Sequence, residues 1–248
     1  MSMEGTKEVS SPQTEDSRKP DERIDAEAGR RYWENAAASN VGMLGGIPTL
    51  HEFSHISRTD IIGSRAFLAR LGIGLKDGRS ALRSAVDGGA GIGRITKDLL
   101  LNIAAEVDVV EPVSRFTESL KGTKGVRTIF NVGLEEWQPT EGVEYDLIWT
   151  QWCLGHLTDK QVVKYLEVCQ TVLRPETGLI VIKENLSTGL EDMFDSTDSS
   201  VTRLDEKFRD LFAQANLKLV RTEEQRSRSP VRSSRRLLPV RMYALKPQ

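Results

Sequence analysis

The residues best suited to chemistry begin at Asp87-Gly-Gly-Ala-Gly-Ile-Gly93, which follows a short apolar run and leads into a helical pattern. Glycines at 89, 91 and 93 let the backbone turn sharply and let a ligand come close to it. The first amide groups of the helix that follows have no partners within it. The spacing is G-x-G-x-G, not the G-x-G-x-x-G of a dinucleotide site. Glu111 lies twenty residues past Gly91, at the end of the next apolar run. An acid there suits the hydroxyls of a ribose. Asp87, just before the glycines, suits a cation such as an amino-acid amine. Adenosine plus an amino acid, without pyrophosphate, describes S-adenosyl-L-methionine. The competing reading is a structural turn, in a dinucleotide enzyme or in a non-catalytic relative of the fold.

These residues need a scaffold, and the pattern supplies one. Apolar runs at 84–87, 106–110, 126–130, 146–149 and 178–182 alternate with helical stretches at 92–103, 113–121 and 160–173. Such alternation predicts a mostly parallel sheet covered on both faces. A helix at 201–215 and strands at 217–222 and 240–245 complete it. Upstream, helices are expected over 25–37 and 58–71. Residues 1–24 are almost without apolar side chains and read as a disordered tail. The remainder, 25–248, reads as one domain, with a helical cap at 25–75 and the α/β core at 83–248. The 248 residues carry 34 Lys and Arg against 36 Asp and Glu, a net charge of −2. That balance argues against a dedicated nucleic-acid binder. No run suits a membrane span and no apolar leader opens the chain. Cys153 and Cys169 fit a reducing compartment and lack the neighbours of a zinc site, so no metal is expected. From Arg226 to Arg241 there are six Arg and no acid. This stretch reads either as a solvated loop or as a patch for an anionic partner.

The sequence resembles the protein α-N-terminal methyltransferases, also called N-terminal Xaa-Pro-Lys N-methyltransferases. The resemblance runs from about Arg31 to Thr222. It is carried by Tyr32-Trp33, by Gly42-Met-Leu-Gly-Gly46 and by the glycine loop through Lys97. More specific are Tyr145–Asp159, with its Gln151-Trp152 and Gly155-His156 pairs, and Leu173-Arg-Pro175, Ile180–Asn185 and Asp198-Ser-Ser-Val201. It implies a seven-stranded, Rossmann-like methyltransferase sheet with an N-terminal helical cap and a hairpin over a peptide channel. It also implies one to three methylations of the α-amine of proteins exposing Xaa-Pro-Lys or Xaa-Pro-Arg. Ribosomal proteins are among the partners it suggests, and the cytoplasm or nucleus is the expected compartment. A methyltransferase for a small amine or carboxylate, and a non-catalytic peptide-binding module, are the alternatives.

By the same resemblance, cofactor contacts fall on Gly89, Arg94, Glu111, Leu134 and Gln151, with Arg94 facing the methionine carboxylate. Pro112, Val113 and Glu135 stand where the family often has Ile, Thr and Gln. His156 and Asp198 are the candidate bases, since a free α-amine has a pKa of about 7.7–8.0. From its position alone, His156 could equally cap the following helix. Asn185 would hold the first substrate residue, though it also suits a turn that ends a strand. Trp152 offers a flat face to a second-position Pro, with Tyr32 and Trp33 coming from the cap, while core filling is the ordinary fate of such rings. Asp195, Asp198 and Ser200 would receive the third-position Lys or Arg, or else belong to a solvated loop. Leu44 and Gly45 would line the entrance.

Overall fold

The protein is described here from a computed structural model, in residues 17–49, 55–74, 81–225 and 237–248. Its centre is a seven-stranded sheet of β1 (Leu82–Gly88), β2 (Ala104–Val110), β3 (Val126–Phe130), β4 (Leu147–Gln151), β5 (Leu179–Asn185), β8 (Leu217–Glu224) and β9 (Val240–Pro247). The order is β3-β2-β1-β4-β5-β9-β8. The first five strands are parallel, and β9 runs antiparallel to both β5 and β8. The expected α/β architecture is therefore present. A short hairpin, β6 (Met193–Asp195) with β7 (Ser200–Thr202), stands apart from the sheet. Successive side chains of a strand face opposite ways, so Val86, Ile148, Ile180 and Ile182 feed one core. Ala85, Trp149 and Val181 feed the other. The first core is closed by α6 (Asp159–Thr171) and α7 (Asp205–Gln214).

The second core is closed by α3 (Ile56–Arg70) and α4 (Arg94–Asp98). Phe67 and Leu68 of α3 are fully buried there, so α3 is part of the sheet's cover. The roof over the strand ends is α1 (Ala26–Asn35) with the single turn α2 (Asn40–Met43). Within the segment expected to lack structure, Pro20–Arg23 form a 3-10 turn. Asp21 there accepts the Asp159 amide at 3.1 Å, and Arg23 lies over the Phe194 ring at 4.4 Å. Residues 1–16 lie outside the described residues, as do Arg226–Arg236 of the arginine-rich stretch.

Three helical expectations are corrected. The 92–103 stretch is α4 followed by a 3-10 turn, Leu100–Asn102, because Gly93 holds a left-handed φ of 79° and delays the start. The 113–121 stretch is α5 (Ser114–Thr117) and a 3-10 turn. Residues 200–202 are strand β7: Val201 is buried opposite Phe194, and the helix begins only at Asp205, with acids suiting its first turn.

Candidate active site

Strand order reverses at β1, between β2 and β4, and in open α/β sheets ligands bind beyond the strand ends at that point. The glycine turn lies there. Gly89, Gly91 and Gly93 have φ of 72°, 56° and 79°. A Cβ at Gly89 would come within 2.4 Å of Cys153 Sγ, and one at Gly91 within 2.7 Å of Met43 Sδ. Only glycine fits this cradle. At the tip of β2, Glu111 holds the turn: Gly91 N and Val113 N each donate to its carboxylate at 2.8 Å. Asp87 is fully buried and accepts the Thr96 hydroxyl at 2.6 Å. Burial lifts its pKa to about 6, against the opposing pull of Thr96 and Arg94.

Asp87, Gly89, Gly91, Arg94, Glu111, Pro112, Val113, Leu134, Glu135 and Gln151 all line one cavity of about 310 Å³. The sequence-predicted cofactor residues are thus brought together without exception. Arg94 does so while ion-paired at 2.6 Å to Asp60 of α3.

A second cavity of about 1030 Å³ adjoins it, lined by Leu44, Gly45, Trp152, His156, Asn185, Asp198 and Ser200, among others. Leu237 and Leu238 also line it. Trp33, Met43, Trp152 and His156 belong to both cavities and form the wall between them. Trp152 holds a left-handed φ of 56°, and its buried Nε1 has no partner among the described residues. The turn after it is tied down from two sides. The Glu184 carboxylate accepts the amides of Cys153 and Leu154 at 2.9 and 3.0 Å. The fully buried Arg203 donates to the Leu154 and Leu157 carbonyls at 2.8 and 2.6 Å. Burial raises the Glu184 pKa to about 7.

His156 is carried by that turn. Trp33 Nε1 donates to its Nε2 at 2.9 Å, with the rings edge to face at 5.9 Å. The neutral imidazole therefore carries its proton on Nδ1. Burial lowers its pKa, opposed by Asp198. Asp198 sits beside it and accepts the Ser200 hydroxyl at 2.7 Å. Helix α1 lies flush over this pair: a Cβ at Gly29 would stand 3.1 Å from the Asp198 carbonyl oxygen and 3.4 Å from His156 Nδ1.

Two expected substrate residues line neither cavity. Tyr32 packs edge-on against Trp33 at 5.2 Å, since adjacent helical residues point about 100° apart. Asp195 is exposed, and its carboxylate accepts the Thr197 amide at 2.8 Å within the hairpin turn. The residues missed by sequence reasoning are Asp60, Met43 and Glu184. A lysine at position 183, directly after the apolar run 179–182 and inside a buried strand, was a usable signal, since a buried cation needs a buried acid.

A family model described as AdoMet dependent proline di-methyltransferase matches residues 21–246. The alpha N-terminal protein methyltransferase 1 of Schizosaccharomyces pombe is 43% identical over 218 residues, covering 87% of this chain and 93% of its own. The mouse N-terminal Xaa-Pro-Lys N-methyltransferase 1 is 40% identical over 204 residues, covering 79% and 86%. Among solved structures, a SAM-dependent methyltransferase from Leishmania major superposes with a TM-score of 0.75 at 35% identity, covering 89% of this chain and 82% of that one. A phosphoethanolamine N-methyltransferase from Haemonchus contortus superposes at 0.65 but with 16% identity, which speaks to the fold alone.

Proposed function

The chain belongs to the AdoMet dependent proline di-methyltransferase family, and from that premise we propose that it methylates the α-amino group of proteins whose exposed N-terminus reads Xaa-Pro-Lys or Xaa-Pro-Arg. The observation that carries this reading is the shared wall. A cavity with cofactor chemistry meets a larger one that carries Asn185 and Asp198, and among the described residues Trp33, Met43, Trp152 and His156 line both.

The residues of the smaller cavity fit S-adenosylmethionine. Asp87 suits its ammonium, Glu111 its ribose hydroxyls and Arg94 its carboxylate, around a turn where only glycine leaves room. When bound, the cofactor supplies an electrophilic methyl on a sulfonium. The protein's task is to deliver a neutral amine to it. At physiological pH much of a free α-amine is protonated, so a base must take that proton. Asp198 takes it: the residue lines the larger cavity, whereas His156 Nε2 is engaged by Trp33. Asn185 holds the first residue, and the Trp152 ring backs the proline. That ring also attracts a cation, which favours rebinding of methylated amines and hence one to three transfers. Ser200, which lines the same cavity, serves the third-position Lys or Arg. Ribosomal proteins are proposed substrates, in the cytosol or nucleus.

The test is mass spectrometry of Ser-Pro-Lys and Ser-Pro-Arg hexapeptides incubated with protein and S-adenosylmethionine. One to three added methylene masses on the α-amine are expected. An unchanged mass for both peptides, matching an Ala-Ala-Lys control, overturns the reading.

A further inference from the structure

The cluster beneath the cofactor cavity has an acid at its centre whose role the family motif does not express. Asp60 is fully buried on α3. Its Oδ2 accepts Arg94 Nη1 at 2.6 Å and Gln151 Nε2 at 3.0 Å. Its Oδ1 accepts Gln151 Nε2 at 3.0 Å and pairs closely with Lys183 Nζ. Four contacts on two oxygens use the lone pairs of a carboxylate, so Asp60 has nothing left for a ligand.

Its partners are similarly occupied. Gln151 Oε1 accepts Trp149 Nε1 at 3.1 Å. Lys183 also donates to Ser64 Oγ at 2.9 Å, to the Asp60 carbonyl at 3.2 Å and to Gln225 Oε1. Arg94 is the exception. It faces the cavity and spends one Nη1 bond on Asp60, while a guanidinium has five N–H donors. Asp60 is divided between two cations and cannot neutralise both. Among the described residues the remaining Arg94 donors make no other hydrogen bond, and Arg94 lines the cavity together with the buried acid Asp87. This arrangement matches the separated charges of an amino-acid zwitterion.

We propose that Asp60 is a positioning residue that fixes the Arg94 guanidinium so that the cavity selects a cofactor bearing a free α-carboxylate. The proposal rests on the cofactor reading above. Lys183 holds Asp60 in turn, and both cations lie near the Trp152 ring, at 5.4 Å for Arg94 and 6.0 Å for Lys183.

The experiment is titration calorimetry with two probes, S-adenosylhomocysteine and its decarboxylated analogue. In the unaltered protein the carboxylate-bearing probe should bind more tightly, by at least about tenfold, the range of a charge-assisted bond. Asp60→Asn should collapse that preference to within about twofold, chiefly by weakening S-adenosylhomocysteine. Asp60→Asn leaves two buried cations unpaired. The double variant Asp60→Asn with Lys183→Met removes one charge of each sign, and should fold and show the same collapse. Equal weakening of both probes would mean a merely structural role and would overturn the proposal, as would an intact preference in the double variant. Failure of the unaltered protein to bind S-adenosylhomocysteine would instead overturn the function proposed above, and this inference with it.

Discussion

Replacing Asp87 by Asn should make the cofactor-free protein more stable and bind its cofactor worse. The Asp87 carboxyl is fully buried, and burial lifts its pKa from the ordinary 3.8 to about 6. A raised carboxyl opposes folding once ionised. Its folded and unfolded forms cost the same below pH 3.8. Stability is then lost as pH rises to about 6, and above that the full cost stands. The gap corresponds to about 3 kcal/mol at 1.36 kcal/mol per pH unit. Asn removes that cost but leaves a new N–H group short of a partner, worth about 1–2 kcal/mol. The net gain is about 1–2 kcal/mol, or a melting temperature about 2–8 °C higher at pH 7. Thermal denaturation of both proteins from pH 4 to 8 measures it. Because Glu111, Glu184 and Asp192 also have raised pKa values, only the difference between variant and wild type isolates Asp87. That difference should grow between pH 4 and 6 and then stay flat. Binding of S-adenosylhomocysteine should weaken by about tenfold or more, through loss of a charged partner for the amine. A lower melting temperature at pH 7, or a difference independent of pH, would refute the reasoning.

Trp33→Phe keeps a ring beside His156 but removes the donor to Nε2, so kcat/KM on a Ser-Pro-Lys peptide should fall about 5–30-fold, from about 1–2 kcal/mol. Nitrogen NMR should show the His156 proton no longer confined to Nδ1, and a rise in activity would instead make His156 a base that Trp33 restrains. Asp198→Asn and Asn185→Ala should lose most turnover with S-adenosylhomocysteine affinity unchanged by calorimetry, since both line only the larger cavity. Gly89→Ala should abolish cofactor binding and cost about 2 kcal/mol in denaturant unfolding, because its Cβ would meet Cys153 Sγ at a positive φ.

The cofactor cavity was legible in the sequence because its residues sit at the ends of strands that local pattern alone locates. Asp87 and Glu111 each close an apolar run, and a parallel sheet brings such ends to one edge, while Gln151 came through the motif resemblance. In the larger cavity, Trp152, His156 and Asn185 were legible through the motif resemblance. Asp60 was not legible, because nothing local says that an acid on an amphipathic helix meets Arg94, 34 residues on, and Lys183, 123 residues on. The Trp33–His156 bond, also across 123 residues, is hidden for the same reason. At 200–202, one buried valine satisfies a helical and an alternating pattern alike, and pairing with the β6 strand decided for the latter.

Gly29 carries a consequence for how this site can vary. In the middle of a helix, alanine is favoured over glycine by about 1 kcal/mol, yet α1 keeps a residue without a side chain. A methyl group there would crowd the Asp198 carbonyl oxygen and touch the His156 ring. The distance between roof and floor is thus gauged by a hydrogen atom. The least conspicuous position in the cap is one at which even a methyl group needs the Asp198 backbone to give way.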